Sequence, residues 1–199
     1  MKIETLGRFK RVSLNPGEFH ASTEPVTIST LLGSCIAACL YDPVNRVIGM
    51  NHFLLSNRRY SRELPNTLSE AGRYGIYAME LLINDMMHRG AKRKNLRAKA
   101  FGGATIFSQS REVGNFYCVS EVNVRFIREF LENERIPLVA EDLGGKLGRV
   151  IHFSNGDFAV YVRTIGGGRS KVLARRDREC WLRSIELQEQ TMPEVDLWL

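Results

Sequence analysis

Val26-Thr27-Ile28-Ser29-Thr30-Leu31-Leu32-Gly33-Ser34-Cys35-Ile36-Ala37-Ala38-Cys39-Leu40-Tyr41-Asp42-Pro43 holds two β-forming runs either side of a Gly-Ser turn. Val26–Thr30 is rich in β-branched residues, and Ile36–Tyr41 is an apolar run of strand length. Asp42-Pro43-Val44-Asn45 breaks the second run with strong turn chemistry. Val47-Ile48-Gly49-Met50-Asn51-His52-Phe53-Leu54-Leu55 then reads as a further strand, so the segment predicts a β-hairpin. Upstream, residues 8–20 read as irregular, with a turn at Asn15-Pro16-Gly17.

Downstream, residues 56–69 are polar and predict an exposed loop. Ile76, Met79, Ile83, Met86 and Met87 recur at helical spacing before Gly90, and that methionine stripe reads as core packing. His88, near the helix end, reads as a surface residue. Lys99-Ala100-Phe101 starts a strand that ends at Gly102-Gly103, a pair suited to close backbone approach or a left-handed turn. A second helix is expected over Val122 to Asn133, with Val122, Phe126, Ile127 and Phe130 on its apolar face. Residues 150–153 and 158–162 predict two closing strands joined at Ser154-Asn155-Gly156-Asp157. Gly166-Gly167-Gly168 marks a boundary, giving a domain over 1–165 and a basic C-terminal tail over 166–199. Weak amphipathicity around Trp181, Leu182 and Ile185 suits a helix that docks back or a segment that orders on a partner.

The chain has 199 residues, 44% of them hydrophobic, which suits one ordinary domain with some extra length. No stretch approaches the ~20 apolar residues of a membrane span. Met1-Lys2-Ile3-Glu4-Thr5 lacks the apolar run of a secretion signal, so a cytoplasmic location is expected. The four cysteines are then expected as free thiols. Cys35 and Cys39 lack the further ligands of a zinc site, and no cofactor or metal is expected. Net charge is +6 with a pI near 9.3, carried largely by Lys92–Lys99 and Arg169–Arg178. Neither cluster has interleaved aromatics or a recognition-helix pattern, which argues against nucleic acid. They read as solvated faces or as docking surface for an acidic protein.

Cys35 on its Gly-Ser turn and His52, seventeen residues later, carry the chemistry. With Asp42–Asn45 as the hairpin loop, Tyr41 pairs with Arg46, Cys39 with Ile48, Ala37 with Met50 and Cys35 with His52. Directly opposed residues have Cβ atoms roughly 4.5–5.5 Å apart on one face, within sulfur–imidazole reach. A slip of one residue would send the two to opposite faces. An imidazole beside a thiol promotes the thiolate and can protonate a leaving amine. Backbone N–H groups of the Gly33–Cys35 turn suit a developing oxyanion. A hydroxyl upstream, on Thr30 or Ser29, is placed to orient the imidazole or the substrate amide. Such a site cuts amides or esters through a thioester. The alternative is a buried small cysteine and a satisfied core histidine. A disulfide-forming Cys35–Cys39 pair is disfavoured, because residues four apart on a strand sit roughly 13 Å apart.

Thr30–Pro43 closely resembles the active-site segment of the CheD family of chemoreceptor glutamine deamidases. Gly49–Leu55 is similar to its histidine segment, Phe101–Ala104 to its glycine motif, and Asp142–Gly145 with Gly148–Phe153 to its late motif. The resemblance covers roughly residues 5–165. It implies a layered α/β sandwich with a mostly antiparallel sheet, related to the deamidase domain of cytotoxic necrotizing factor toxins. The active site would lie on the hairpin, after the Gly-Ser-Cys turn. It implies deamidation of glutamines on methyl-accepting chemotaxis receptors, with Cys35 as nucleophile and His52 as general acid/base. The third residue is an upstream hydroxyl, which falls on Thr30, with Ser29 one position away. It also implies a CheC-type phosphatase as a partner. A receptor side chain has to reach Cys35, so an open, shallow cleft is expected, with Arg58, Arg59 and Arg62 meeting acidic neighbours of the target. The alternative function is a non-catalytic docking regulator of chemotaxis signalling proteins.

Overall fold

The structure, a computed structural model, describes residues 1–6, 9–55, 70–105, 119–166 and 168–191. Ten strands run in chain order as β1 (Lys2–Leu6), β2 (Phe9–Leu14), β3 (Phe19–Ser22), β4 (Val26–Leu32), β5 (Ile36–Asp42), β6 (Val47–Asn51), β7 (Arg97–Gly102), β8 (Leu138–Leu143), β9 (Gly148–Ser154) and β10 (Val160–Ile165). The helices are α1 (Glu70–His88), α2 (Val119–Asn133) and α3 (Gly168–Thr191). One sheet has the order β1-β2-β4-β9-β10 and the other β3-β6-β5-β7-β8. Each contains one parallel pair, β2 with β4 and β7 with β8, among antiparallel neighbours. No described helix is long and apolar enough to cross a membrane.

The alternation of side chains along a strand explains the layering. Ile36, Ala38 and Leu40 of β5 pack with Met79, Leu82, Ile83 and Met86 of α1 and with Phe126, Ile127 and Phe130 of α2. Cys35, Ala37 and Cys39 face the other way, toward Ile28 and Leu32 of β4 and Ile151 and Phe153 of β9. Ile36–Leu40 of β5 is apolar throughout because it is buried on both faces. The result is three layers: sheet, sheet and a pair of helices. Of the predicted stripe of α1, Met79, Ile83 and Met86 are core and Ile76 packs against them, whereas Met87 is exposed.

The β5–β6 register differs from the sequence expectation. Asp42 stays in the strand and pairs with Val47, Tyr41 pairs with Ile48, and Cys39 with Met50. The Asp42 carboxylate accepts from the N–H groups of Val44 (2.8 Å) and Asn45 (3.0 Å), closing the loop from within the strand. Arg46 completes the loop at φ 53°, a left-handed conformation uncommon for arginine. The pairing therefore shifts by two residues, and Cys35 no longer lies directly opposite His52. The even shift keeps every side chain on its expected face.

The stretch 8–20, read as irregular, contains β2 and the start of β3, and β8 had no sequence signal. The basic cluster after Gly90 is partly committed to packing: Arg93 pairs with Glu80 and Glu134, and Lys99 donates to the Phe158 carbonyl at 2.6 Å. The loop arginines Arg58, Arg59 and Arg62, together with Cys118, lie outside the described residues.

The double glycine at the end of β7 does both things its sequence suggests. Gly102 sits at φ +113°, and a Cβ there would fall 2.1 Å from the Cys35 carbonyl oxygen. Gly103 donates its N–H to that same carbonyl at 2.8 Å. Gly102→Ala should therefore cost about 3 kcal/mol through strain and overlap. The thermal midpoint, followed by circular dichroism, should fall by about 6–12 °C. An unchanged midpoint would mean that the bend around Cys35 yields freely.

Candidate active site

The chain leaves β4 in one sheet and enters β5 in the other through the bend Gly33-Ser34-Cys35. Outside elements satisfy the polar backbone of that bend. Gly103 N–H donates to the Cys35 carbonyl at 2.8 Å and Ala104 N–H to the Gly33 carbonyl at 2.7 Å. Asn123, fully buried on α2, donates from Nδ2 to the Ser34 carbonyl at 2.8 Å and accepts from Leu55 N–H at 2.9 Å. The segment resembling the late motif supports the glycines in turn: Gly144 N–H donates to the Gly102 carbonyl at 2.8 Å, and Arg149 caps the carbonyls of Asp142 and Gly144.

His52 follows β6, and its backbone is fixed from outside. Its N–H donates to the Glu18 carbonyl (2.9 Å) and its carbonyl accepts from Gly17 N–H (2.7 Å). Ile36 and Phe53 exchange both backbone hydrogen bonds, at 3.0 and 2.9 Å. Phe53 points to the helical layer, against Phe126. His52 and Leu54 consequently face the seam between the sheets, as Cys35 does. Continuing the register, Cys35 lies opposite Leu54, and His52 is its diagonal neighbour on that face. Such neighbours are roughly 7–8 Å apart between backbones and closer between Cβ atoms.

Thr30 settles which hydroxyl meets this imidazole. Its Oγ1 lies 2.7 Å from His52 Nδ1 and 2.8 Å from the Leu14 carbonyl, to which it donates. Ser29 points to the opposite face of β4, with its Oγ 2.7 Å from His152 Nδ1. A hydroxyl has a single hydrogen, and Thr30 gives it to Leu14. Thr30 must then accept from His52, which makes the ring the Nδ1–H tautomer. The other nitrogen, Nε2, is buried without a protein partner among the described residues and carries a free lone pair.

Cys35 and His52 are both fully buried, where an open cleft was expected. The cover is α3, whose Asp177 carboxylate accepts from Ser34 N–H at 2.8 Å and from Ser34 Oγ at 3.0 Å. Burial, then the negative charge of Asp177, pushes the Cys35 thiol well above its usual range. Burial, followed by the Arg176 charge, lowers His52 to about 3. In this conformation the two are a neutral thiol and a neutral imidazole. A cleft of about 80 Å³ borders His52, lined by Gly17, Phe19, Tyr74 and Tyr77 among others.

A thiol and an imidazole with a bare nitrogen share one seam, beside a backbone N–H at a sharp bend. That set of groups suits acyl transfer through a cysteine. Asn123 and Asp177 were not singled out in the sequence. Asn123's only signal is a polar residue beside the apolar stripe of α2.

A family model described as CheD chemotactic sensory transduction matches residues 54–164. A protein of Geobacter sulfurreducens named probable chemoreceptor glutamine deamidase CheD 1 is 57% identical over 188 residues, 94% of each chain. Probable chemoreceptor glutamine deamidase CheD 2 of Shewanella oneidensis is 46% identical over 171 residues, 84% of this chain and 83% of that one. The chain belongs to the CheD family. The family-model match begins after Thr30, Cys35 and His52, but the 188-residue alignment leaves only 11 of the 199 residues outside and so includes all three. Among solved structures, Bacillus licheniformis hypothetical protein YfiH gives a TM-score of 0.38 at 14% identity, covering 62% of this chain and 49% of that one. A score of that size does not define a shared fold.

The lowered His52 ring has a consequence for stability. Between its ordinary value and about 3, the unfolded chain binds a proton that the folded chain excludes. Stability contributed by the neutral ring is full above about pH 6.5 and is lost as pH falls toward about 3. Urea midpoints of the wild type should fall more between pH 7 and pH 4 than those of His52→Gln. Parallel curves would contradict the assignment of a neutral ring.

Proposed function

We propose that this protein converts glutamine side chains of methyl-accepting chemotaxis receptors to glutamate, through a thioester on Cys35. Membership of the CheD family supports the reaction and the substrate class. The observation that carries the mechanism is the Thr30–His52 hydrogen bond, which leaves His52 Nε2 bare in the seam that also holds Cys35.

The steps follow from those groups. His52 Nε2 takes the Cys35 proton, and the thiolate attacks the side-chain amide carbon of glutamine. The carbonyl oxygen becomes an oxyanion and accepts from Ser34 N–H. The tetrahedral adduct collapses as His52 passes its proton to the leaving nitrogen, and ammonia departs. A water then attacks the thioester while His52 takes its proton. Collapse of the second adduct returns the His52 proton to sulfur and releases the glutamate carboxylic acid, which loses its proton to water. Thr30 keeps Nδ1 protonated throughout, while Nε2 gains and loses the proton, and Thr30 passes its own hydrogen bond to Leu14.

The fully buried Cys35 favours a second reading, a docking regulator without chemistry. The CheC-type phosphatase implied by the family resemblance would be a partner in either case, and co-purification of the two tests it. Cytoplasmic action fits both readings.

Incubation with receptor cytoplasmic fragments should give a gain of ~1 Da at defined glutamines, read by peptide mass spectrometry, with Cys35→Ala inactive. Full receptor adaptation supported by Cys35→Ala would favour docking instead. Thr30→Val should lower kcat about 10–100-fold, with Thr30→Ser retaining most of it, because only the hydroxyl relay is removed. Equal activity of Thr30→Val and wild type would remove Thr30 from the mechanism.

A further inference from the structure

α3 lays one face against the body of the protein. Leu173, Asp177 and Trp181 recur at i, i+4 and i+8, and all three are buried. Leu173 packs over Gly148 of β9, where an added Cβ would meet its side chain at 2.4 Å. Trp181 joins the apolar seam between the sheets, the seam that contains Cys35. A carboxylate in the centre of this apolar stripe is costly unless every oxygen is satisfied.

Asp177 is 0% exposed, and both oxygens have partners. Oδ2 accepts from Ser34 N–H and Ser34 Oγ–H, at 2.8 and 3.0 Å. Oδ1 accepts from Arg176 Nη2 at 2.9 Å and Nε at 3.3 Å. Arg176 Nη2 also donates to the Leu31 carbonyl at 2.9 Å, so the helix is tied both to the bend that carries Cys35 and to the strand that leads into it. The Asp177–Ser34 contacts are charge-assisted and buried and those of Arg176 are half-buried, unlike the exposed Arg175–Glu179 pair on the outer face of the same helix.

The chemistry of this contact matches that of the reaction. A carboxylate oxygen rests on the backbone N–H next to the nucleophilic cysteine. The glutamate product would rest a carboxylate there, and the glutamine substrate an amide oxygen of the same planar shape. We propose that Ser34 is the subsite for the side-chain oxygen of the substrate, and that Asp177 of α3 occupies it as an internal product-like side chain. Ser34 supplies two donors to that oxygen, the backbone N–H and the hydroxyl. α3 and the substrate segment are then mutually exclusive occupants of one surface, and α3 has to lift before a receptor glutamine reaches Cys35. Closure also buries the thiol and places the Asp177 charge beside it, which together hold Cys35 protonated and unreactive. The identity of the substrate oxygen rests on the deamidase reading above, whereas the closure itself does not.

The test uses the full-length protein and iodoacetamide, with carbamidomethylation of Cys35 followed by peptide mass spectrometry. Asp177→Ala should accelerate Cys35 alkylation about tenfold or more, because a buried charged contact holding the closed form is lost. Acetate at about 0.1 M should slow the variant again by refilling the Ser34 subsite, and should leave the wild type unchanged. Arg176→Ala removes the Leu31 tie and should accelerate alkylation by a smaller factor. It serves as the test if circular dichroism shows that Asp177→Ala does not fold. Cys35 alkylation at the wild-type rate in a folded variant would overturn the closure, and acceleration that acetate does not reverse would overturn the subsite. A variant that alkylates faster yet leaves receptor glutamines intact supports the closure and contradicts the deamidase reading.

Discussion

The three-residue bend Gly33-Ser34-Cys35 carries the chain from one sheet into the other, and a crossing that short exposes backbone groups in a buried place. Its carbonyls are satisfied by three donors from two segments: Gly103 on Cys35 and Ala104 on Gly33 from the end of β7, and Asn123 on Ser34 from α2. The Ser34 N–H is satisfied by Asp177. Much of the architecture follows from that requirement. β7 must end in glycines to approach the Cys35 carbonyl, α2 must present an asparagine, and the late segment must brace the glycines. Cys35 is therefore held by the backbone rather than by its own side chain. Its position depends on residues far apart in sequence.

The second constraint is the link between the sheets. Thr30 belongs to one sheet, and His52 follows a strand of the other. Their 2.7 Å contact sets the ring orientation, and the donation from Thr30 to Leu14 sets the tautomer. A histidine buried without charge suits a base that must accept a thiol proton only when substrate is present. The backbone clamp from Gly17 and Glu18 adds rigidity where a rotating ring would spoil the geometry.

The parts of this arrangement that follow from local patterning were legible in the sequence. Ile36–Tyr41 reads as a strand because both of its faces are buried. The stripes of α1 and α2 read at helical spacing, and Cys35 and His52 stand out by residue type and separation. Residue patterning by itself left Thr30 and Ser29 open, and only the family resemblance pointed to Thr30, because the choice depends on which face of β4 meets the second sheet. The strand register was not legible because Asp42 closes its loop by side-chain hydrogen bonds from within the strand, and Arg46 takes a conformation its type disfavours. β8 escaped because four of its six residues are exposed and no alternation marks it. The role of Asp177 was hidden in a charge-rich stretch that reads as a basic tail. Only the fold reveals that one acidic residue in that stretch points inward.

The most direct measurement of the central claim is the protonation state of His52 itself. In protein with 15N-labelled histidine, nitrogen chemical shifts at pH 7 distinguish the two neutral tautomers and the imidazolium. The account predicts a neutral ring protonated at Nδ1, with Nε2 bare, and loss of that preference in Thr30→Val. A ring protonated at Nε2, or an imidazolium paired with a thiolate, would contradict it.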